Sequence, residues 1–168
     1  YEDSKGHIWI GTLNGLSKYD PIKKTLINYS EKEGLNNAQI LNIYEDNTGN
    51  IWLGTWTGLT KFDGMEFTHF TEENGLSDER VWSIRDDEND NIWVSTDKGL
   101  TVLRVDSTED SKIFTFDKLD GLKGSDFYLN SVLLDHENRM WWGNGKSLVQ
   151  ITTKDFYKSI AKKIYSLL

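Results

Sequence analysis

The sequence predicts an all-β protein built from one four-strand unit repeated along the chain, and three observations carry that expectation. The composition is the first: seven Trp, seven Tyr and seven Phe stand beside fourteen Gly and a single Pro. Aromatic residues favour strands and glycine favours the turns between them. The second is an internal repeat. Asp3-Ser-Lys-Gly-His-Ile-Trp-Ile-Gly-Thr12 returns as Asp46-Asn-Thr-Gly-Asn-Ile-Trp-Leu-Gly-Thr55 and as Asp87-Glu-Asn-Asp-Asn-Ile-Trp-Val-Ser-Thr96. A looser copy reads Asp135-His-Glu-Asn-Arg-Met-Trp-Trp-Gly-Asn144. The third is that further landmarks keep step with it. Gly15-Leu16, Gly58-Leu59 and Gly99-Leu100 follow the three threonines, and Gly34-Leu35, Gly75-Leu76 and Gly121-Leu122 close the units. A period of roughly 40–48 residues with several landmarks in phase marks a repeat architecture.

Within the second unit the strand candidates are residues 40–45, 50–55, 59–63 and 66–71, joined by Asp-Asn-Thr-Gly-Asn, Trp-Thr-Gly and Asp-Gly turns. Four short antiparallel strands in that span are the content of one β-propeller blade. The units fall near 1–39, 40–80, 81–128 and 129–152, leaving 153–168 as an amphipathic helix or an irregular tail. Phe156, Ile160 and Ile164 lie four apart there, and Thr153 stands at the N-cap position. Tyr1-Glu-Asp3 aligns with Tyr44-Glu-Asp46, the end of a first strand. About three and a half blades are therefore expected, as part of a larger ring. Further blades from the same parent chain or a partner chain would complete it.

Each second strand is apolar on both faces: in Ile51-Trp-Leu-Gly54, Ile51 and Leu53 face one way and Trp52 and Gly54 the other. Such a strand must be covered on both sides. Trp9, Trp52, Trp93 and Trp141 are thus expected in the core, and Gly11, Gly54, Ser95 and Gly143 leave room for an aromatic from the next sheet. Asn42, Ser83 and Ser131 share one position in the first strands, where they either line a wet axial channel or bond locally to backbone.

Charge and composition narrow the chemistry. With 27 acidic against 19 basic residues the net charge is −8, which argues against a nucleic-acid partner. The absence of cysteine excludes disulfides and thiolate metal sites. No apolar run is long enough to span a membrane, and the first residues carry no targeting signal. Gly143-Asn-Gly-Lys-Ser147 lacks the first glycine of a phosphate loop, Met140 standing in its place. The Asp-rich turns lack the closing glutamate of a calcium loop and read as hairpin turns. His7, His69 and His136 occupy different repeat positions, so no recurrent base or ligand set is expected. No cofactor, metal or catalytic residue is assigned, and the chain is not expected to be an enzyme.

The string Glu-Asp-x-x-Gly-x-Ile-Trp-Leu-Gly-Thr-x-x-Gly-Leu-x-x-Phe from Glu45 to Phe62 resembles the two-component-regulator propeller repeat. The resemblance covers about residues 2–152. It implies seven-bladed propellers in the periplasmic part of hybrid sensor kinases and related regulators, many of them associated with sensing glycan fragments. The fourth unit departs from the pattern, with Ser147 in place of glycine and an insertion near Ser107–Ser111.

The variable segments point to a binding face. In an antiparallel meander the turn between strands two and three lies on the same face as the link between blades. These are the stretches that differ most from unit to unit, and variable loops on a rigid scaffold are a binding-site layout. Trp56 and Tyr128 are the candidate aromatic surfaces, and Asn37, Gln39, Asp78, Arg80, Lys98 and Asp126 the candidate hydrogen-bonding groups. Arg80 and Asp78 are alternatively a simple ion pair. A saccharide or another small polar ligand suits this set. A protein-interaction or structural propeller is the competing expectation.

Overall fold

The computed structural model describes residues 1–104, 112–122, 124, 126–145 and 147–158. Among these residues, fourteen strands form four separate antiparallel sheets. The first holds β1 (Ile8–Thr12), β2 (Gly15–Asp20) and β3 (Thr25–Tyr29). The second holds β4 (Ile40–Glu45), β5 (Ile51–Thr55), β6 (Gly58–Phe62) and β7 (Phe67–Phe70). The third holds β8 (Val81–Asp86), β9 (Ile92–Thr96), β10 (Leu100–Arg104) and β11 (Lys112–Phe116), and the fourth β12 (Phe127–Leu134), β13 (Arg139–Asn144) and β14 (Leu148–Thr152). Every sheet is a meander in chain order, as the repeat predicts. The Ser107–Ser111 insertion lies outside the described residues.

The hairpin that opens each blade is built on one carboxylate. Asp46 Oδ1 accepts the backbone N–H groups of Thr48 (2.9 Å) and Asn50 (3.0 Å), while Oδ2 accepts the indole N–H of Trp52 at 2.7 Å. The same indole bond joins Asp3 to Trp9, Asp87 to Trp93 and Asp135 to Trp141 at 2.7–2.8 Å. The fourth turn position is left-handed in all four copies, at Gly6, Gly49, Asp90 and Asn138. Only residues that tolerate this backbone occupy it.

The oriented tryptophans make the blades stack. Trp52 packs with Val81, Ile92 and Val94 of the third sheet, whereas Ile51 and Leu53 pack with Trp9 of the first. Each blade therefore turns its Trp face to the next blade and its aliphatic face to the one before. The space beside the small residue is filled by an aliphatic side chain, correcting the expectation of an aromatic: a Cβ built on Gly54 would lie 2.7 Å from Val81, and one on Gly11 2.6 Å from Ile40. In the fourth sheet Trp142 is fully buried and Trp141 only half-buried, so Trp141 does not join the core as expected. Its face has no neighbouring sheet among the described residues.

The polar positions on the first strands divide. Only Ser131 bonds to backbone, its hydroxyl lying within 3.0 Å of the Tyr128 and Gly143 carbonyls, whereas the Ser83 hydroxyl lies 2.6 Å from that of Ser95. Asn42 donates to the side chain of Asn130 in β12, in another sheet.

Between blades the chain makes a one-turn 3-10 helix, at Glu31–Glu33, Glu72–Asn74 and Lys118–Asp120. In the first, Ser30 and Glu33 close a capping box. Leu35 and Leu76, from the unit-closing Gly-Leu pairs, drop into the core.

Residues 153–158 are helical. Thr153 is fully buried and its hydroxyl lies against the Glu88 carboxylate (2.5 Å) and the Asn138 carbonyl (3.1 Å), tying the helix start to neighbouring turns instead of capping its own amides. Phe156 is buried with ring centroids 4.5 Å from both Trp93 and Phe116. In the earlier blades Phe67 and Ile113, from the outer strand of the next sheet, cover the corresponding rings. The helix fills the outer-strand position of the fourth blade. Residues 159–168, the rest of the expected helix, lie outside the described residues.

Two stability outcomes follow. Trp52→Ala should cost about 3–5 kcal/mol in urea melts, as for other buried aromatics, against far less for Trp56→Ala, whose ring is 38 % exposed. Burial by itself would raise the pKa of Asp46, but the bonds from Trp52, Asn50 and Thr48 outweigh it and hold the carboxyl below the usual range. Its stabilisation is therefore complete above the unfolded value of about 3.9 and is lost as pH falls through the lower folded value. Asp46→Asn should lose about 2 kcal/mol at pH 7. Thermal melts should show the gap to the parent closing below about pH 4.

Candidate functional site

Turns and links do share one face. The strand-two-to-three turn is closed by its threonine: Thr55 Oγ1 donates to the Gly58 carbonyl at 2.9 Å and accepts the Thr57 N–H at 3.2 Å. Gly58 must be glycine, with φ +133° and a Cβ position only 2.3 Å from the Phe70 carbonyl of the outer strand. Ser147 takes that place in the fourth blade, where β14 has no outer strand beside it among the described residues. Links lock onto these turns. Asn36 bonds to the Thr57 carbonyl and to Thr60, and the Ser77 hydroxyl lies within 2.9 Å of those of Thr96 and Thr101.

Where the second and third blades meet, this face carries an aromatic and charged cluster. The Arg80 guanidinium lies 4.4 Å from the centre of the Trp56 ring and 5.5 Å from that of Trp82. The two indoles meet edge to face at 6.3 Å. Asp97 accepts from Arg80 at 2.8 Å and from the Trp82 indole N–H at 2.6 Å. Lys98 sits between Glu72 (2.7 Å) and Asp78 (2.9 Å). Those two bonds raise the Lys98 pKa. Burial opposes ionisation of Asp78, yet Lys98 and the Arg80 backbone N–H lower its pKa overall.

Four of the predicted residues, Trp56, Asp78, Arg80 and Lys98, thus come together. One expectation changes: Arg80 pairs with Asp97, and only its backbone N–H reaches Asp78. Trp56 is packed by Arg80 and Trp82, which lie against its ring. Asn37 accepts the Gln39 N–H in a local turn, and Gln39 is exposed beside it. Asp126, at the end of the link to the fourth blade, and Tyr128, in β12, stand apart from the cluster, both exposed, with the Tyr128 hydroxyl near Gly145.

Trp82, Asp97 and Glu72 were not singled out from the sequence. Trp82 alone carried a signal, a large aromatic in a first strand where the second blade has Leu41. The histidines are engaged separately, His7 with Asp3 and His69 with Thr60. No helix among the described residues is long and apolar enough to cross a membrane.

Comparison with known proteins agrees with this architecture. The family model of the two component regulator propeller matches residues 34–57 and 75–98, each a link followed by the first two strands of a blade. Among curated proteins none matches. Among solved structures, the extracellular domain of a putative hybrid two component system from B. thetaiotaomicron is 27 % identical with a TM-score of 0.81, over 95 % of this chain and 22 % of that one. The chain thus spans about a fifth of that relative's length. Virginiamycin B lyase from Staphylococcus aureus shares the fold at 17 % identity and a TM-score of 0.71, over 92 % of this chain and 51 % of that one. The secretion-system surface component PorZ of Porphyromonas gingivalis shares it at 16 % and 0.64, over 90 % and 25 %. The chain is a propeller segment resembling the extracellular part of a hybrid two-component regulator, and parts of its second and third blades match the two component regulator propeller model.

Proposed function

We propose that the chain is a ligand-sensing segment of an extracytoplasmic propeller, without catalytic activity of its own, and that its ligand is a neutral saccharide or similar polyol. The observation that carries this reading is the part-exposed Trp56 ring, held by Arg80 and Trp82 among carboxylates on the face where the loops vary. An indole offers a flat apolar surface to a sugar ring, while Asp97, Asp78 and Glu72 accept hydrogen bonds from hydroxyls. The cations are already committed, Arg80 to Asp97 and Lys98 to Glu72 and Asp78, so an anionic ligand would have to displace a carboxylate first. Asn37 and Gln39 extend the surface along one link, and Asp126 and Tyr128 where another link enters β12. A periplasmic location and signal transfer to an output module accord with the resemblance to extracellular sensor domains.

The test is a titration with neutral and acidic oligosaccharides followed by tryptophan fluorescence. A neutral glycan should bind, and Trp56→Ala should weaken it by about tenfold or more. Unchanged affinity in that variant would remove Trp56 from the site. Capture of a protein partner with no glycan response would favour an interaction module.

A further inference from the structure

The outer strand of a blade lies on the circumference, and that of the first blade differs from that of the second. β3 is exposed at four of its five residues, whereas β7 is exposed at one of four. Thr25-Leu-Ile-Asn-Tyr-Ser30 holds no charge and no proline, the devices that blunt a free sheet edge. Ile27 shares with Tyr29 the face that the second blade covers, and is still 49 % exposed. Among the described residues no strand pairs with the outer side of β3. The direction of its main-chain groups follows from the ladder. In an antiparallel sheet, successive residues turn their N–H and C=O groups to alternate sides. Trp9 gives both of its groups to Tyr1, so Ile8, Ile10 and Thr12 face β2. Carried across the registers of β1 with β2 and β2 with β3, this turns Thr25, Ile27 and Tyr29 toward β2 and Leu26 and Asn28 outward.

We propose that two copies of this chain pair antiparallel along the outer edge of β3, about a two-fold axis at Ile27. Leu26 then stands opposite the partner's Asn28 on both sides of the axis, and the outward groups make four main-chain bonds. The two Ile27 side chains meet in the close, non-hydrogen-bonded pair between them. Centring the axis on Leu26 or on Asn28 would leave the other of the two outside the paired strands. Charge selects the same register. Lys23 comes opposite the partner's Glu31 at both ends, and both residues are exposed. On its own chain Lys23 lies 3.6 Å from Asp20, with 76 % of its side chain exposed. The equivalent pairing of β7 about Thr68 would set Asp63 against Glu73 at both ends, so the second blade repels its own copy. The contact uses the same edge on both copies and therefore closes at a dimer. This inference stands apart from the saccharide reading, because it concerns the circumference of the first blade and not the turn cluster between the second and third.

The test is sedimentation velocity of the 168-residue protein over a concentration series reaching about 1 mM. The mass should rise from 19.4 kDa to twice that value and no further. Ile27→Lys sets two like charges directly opposite and should stay monomeric, with its circular dichroism unchanged. Thr68→Lys, at the equivalent place in the second blade, should dimerise like the parent. Lys23→Glu should weaken association by about tenfold, and adding Glu31→Lys should restore it. A parent chain that stays monomeric overturns the proposal, as does a dimer that Ile27→Lys leaves intact or that Thr68→Lys abolishes. A loss in Lys23→Glu that Glu31→Lys does not recover overturns it as well, and this charge exchange decides alone if Ile27→Lys fails to fold.

Discussion

The bond from the Asp46 carboxylate to the indole N–H of Trp52, with its three counterparts, is the interaction on which the rest of the structure depends. The indole N–H of each repeat tryptophan needs an acceptor, and the hairpin needs partners for the amides that its tight turn leaves open. One carboxylate six residues before the ring does both. Oδ1 collects the turn amides and Oδ2 fixes the indole, so the conformation of the turn and the direction of the ring are set together. Trp9 and Trp52 then face the following blade, and aliphatic residues of that blade close over them. The order of packing is thereby written into every repeat.

This arrangement divides the molecule into a committed face and a variable one. The Asp turns are engaged with one another across blades: Ser4 bonds to Glu45, Asn47 to Asp90, and the Tyr44 hydroxyl to Asp86 at 2.5 Å. That last bond and the burial of the ring push the Tyr44 pKa upward, burial contributing more. On the opposite face the threonine hydroxyl and the glycine close each turn by themselves. The two residues between them, Leu13-Asn14, Trp56-Thr57 or Asp97-Lys98, contribute nothing that the turn requires from their side chains. A large indole at Trp56 and a charged pair at Asp97-Lys98 fit the same backbone. Freedom at those positions is what lets neighbouring turns assemble a cluster.

The division also explains what was legible in the sequence. Strand boundaries, turn chemistry and blade count follow from local residue type at a fixed period, and β4–β7 fall within a few residues of the spans read from the sequence. The face carrying the variable segments follows from meander topology. The pairings inside the cluster do not. Arg80 reaches Asp97, seventeen positions away on the next turn, and leaves the nearby Asp78 to Lys98, because the β8 strand that begins at Val81 carries Arg80 toward the β9–β10 turn. Distance along the chain favoured the wrong partner. Trp82 escaped notice for a related reason: a β-branched or aromatic residue in a first strand reads as core, and only the blade-to-blade geometry brings its indole N–H out to Asp97.

The helix at residues 153–158 shows which part of the blade is obligatory. Trp9 with Tyr29, and Trp52 with Phe70, are covered from the next sheet by the side chains of an outer strand, Phe67 in one case and Ile113 in the other. Trp93 and Phe116 present the same apolar surface, and a helical Phe156 answers it, while the Tyr157 hydroxyl bonds to Asp87 and accepts from Asn91 at 2.7 Å. The demand comes from the uncovered tryptophan, and it is for apolar area in a given place, because burial is rewarded without regard to backbone conformation. A helix is therefore able to stand in for the outermost strand of a blade, whose part in the core is to carry an apolar side chain over the preceding tryptophan.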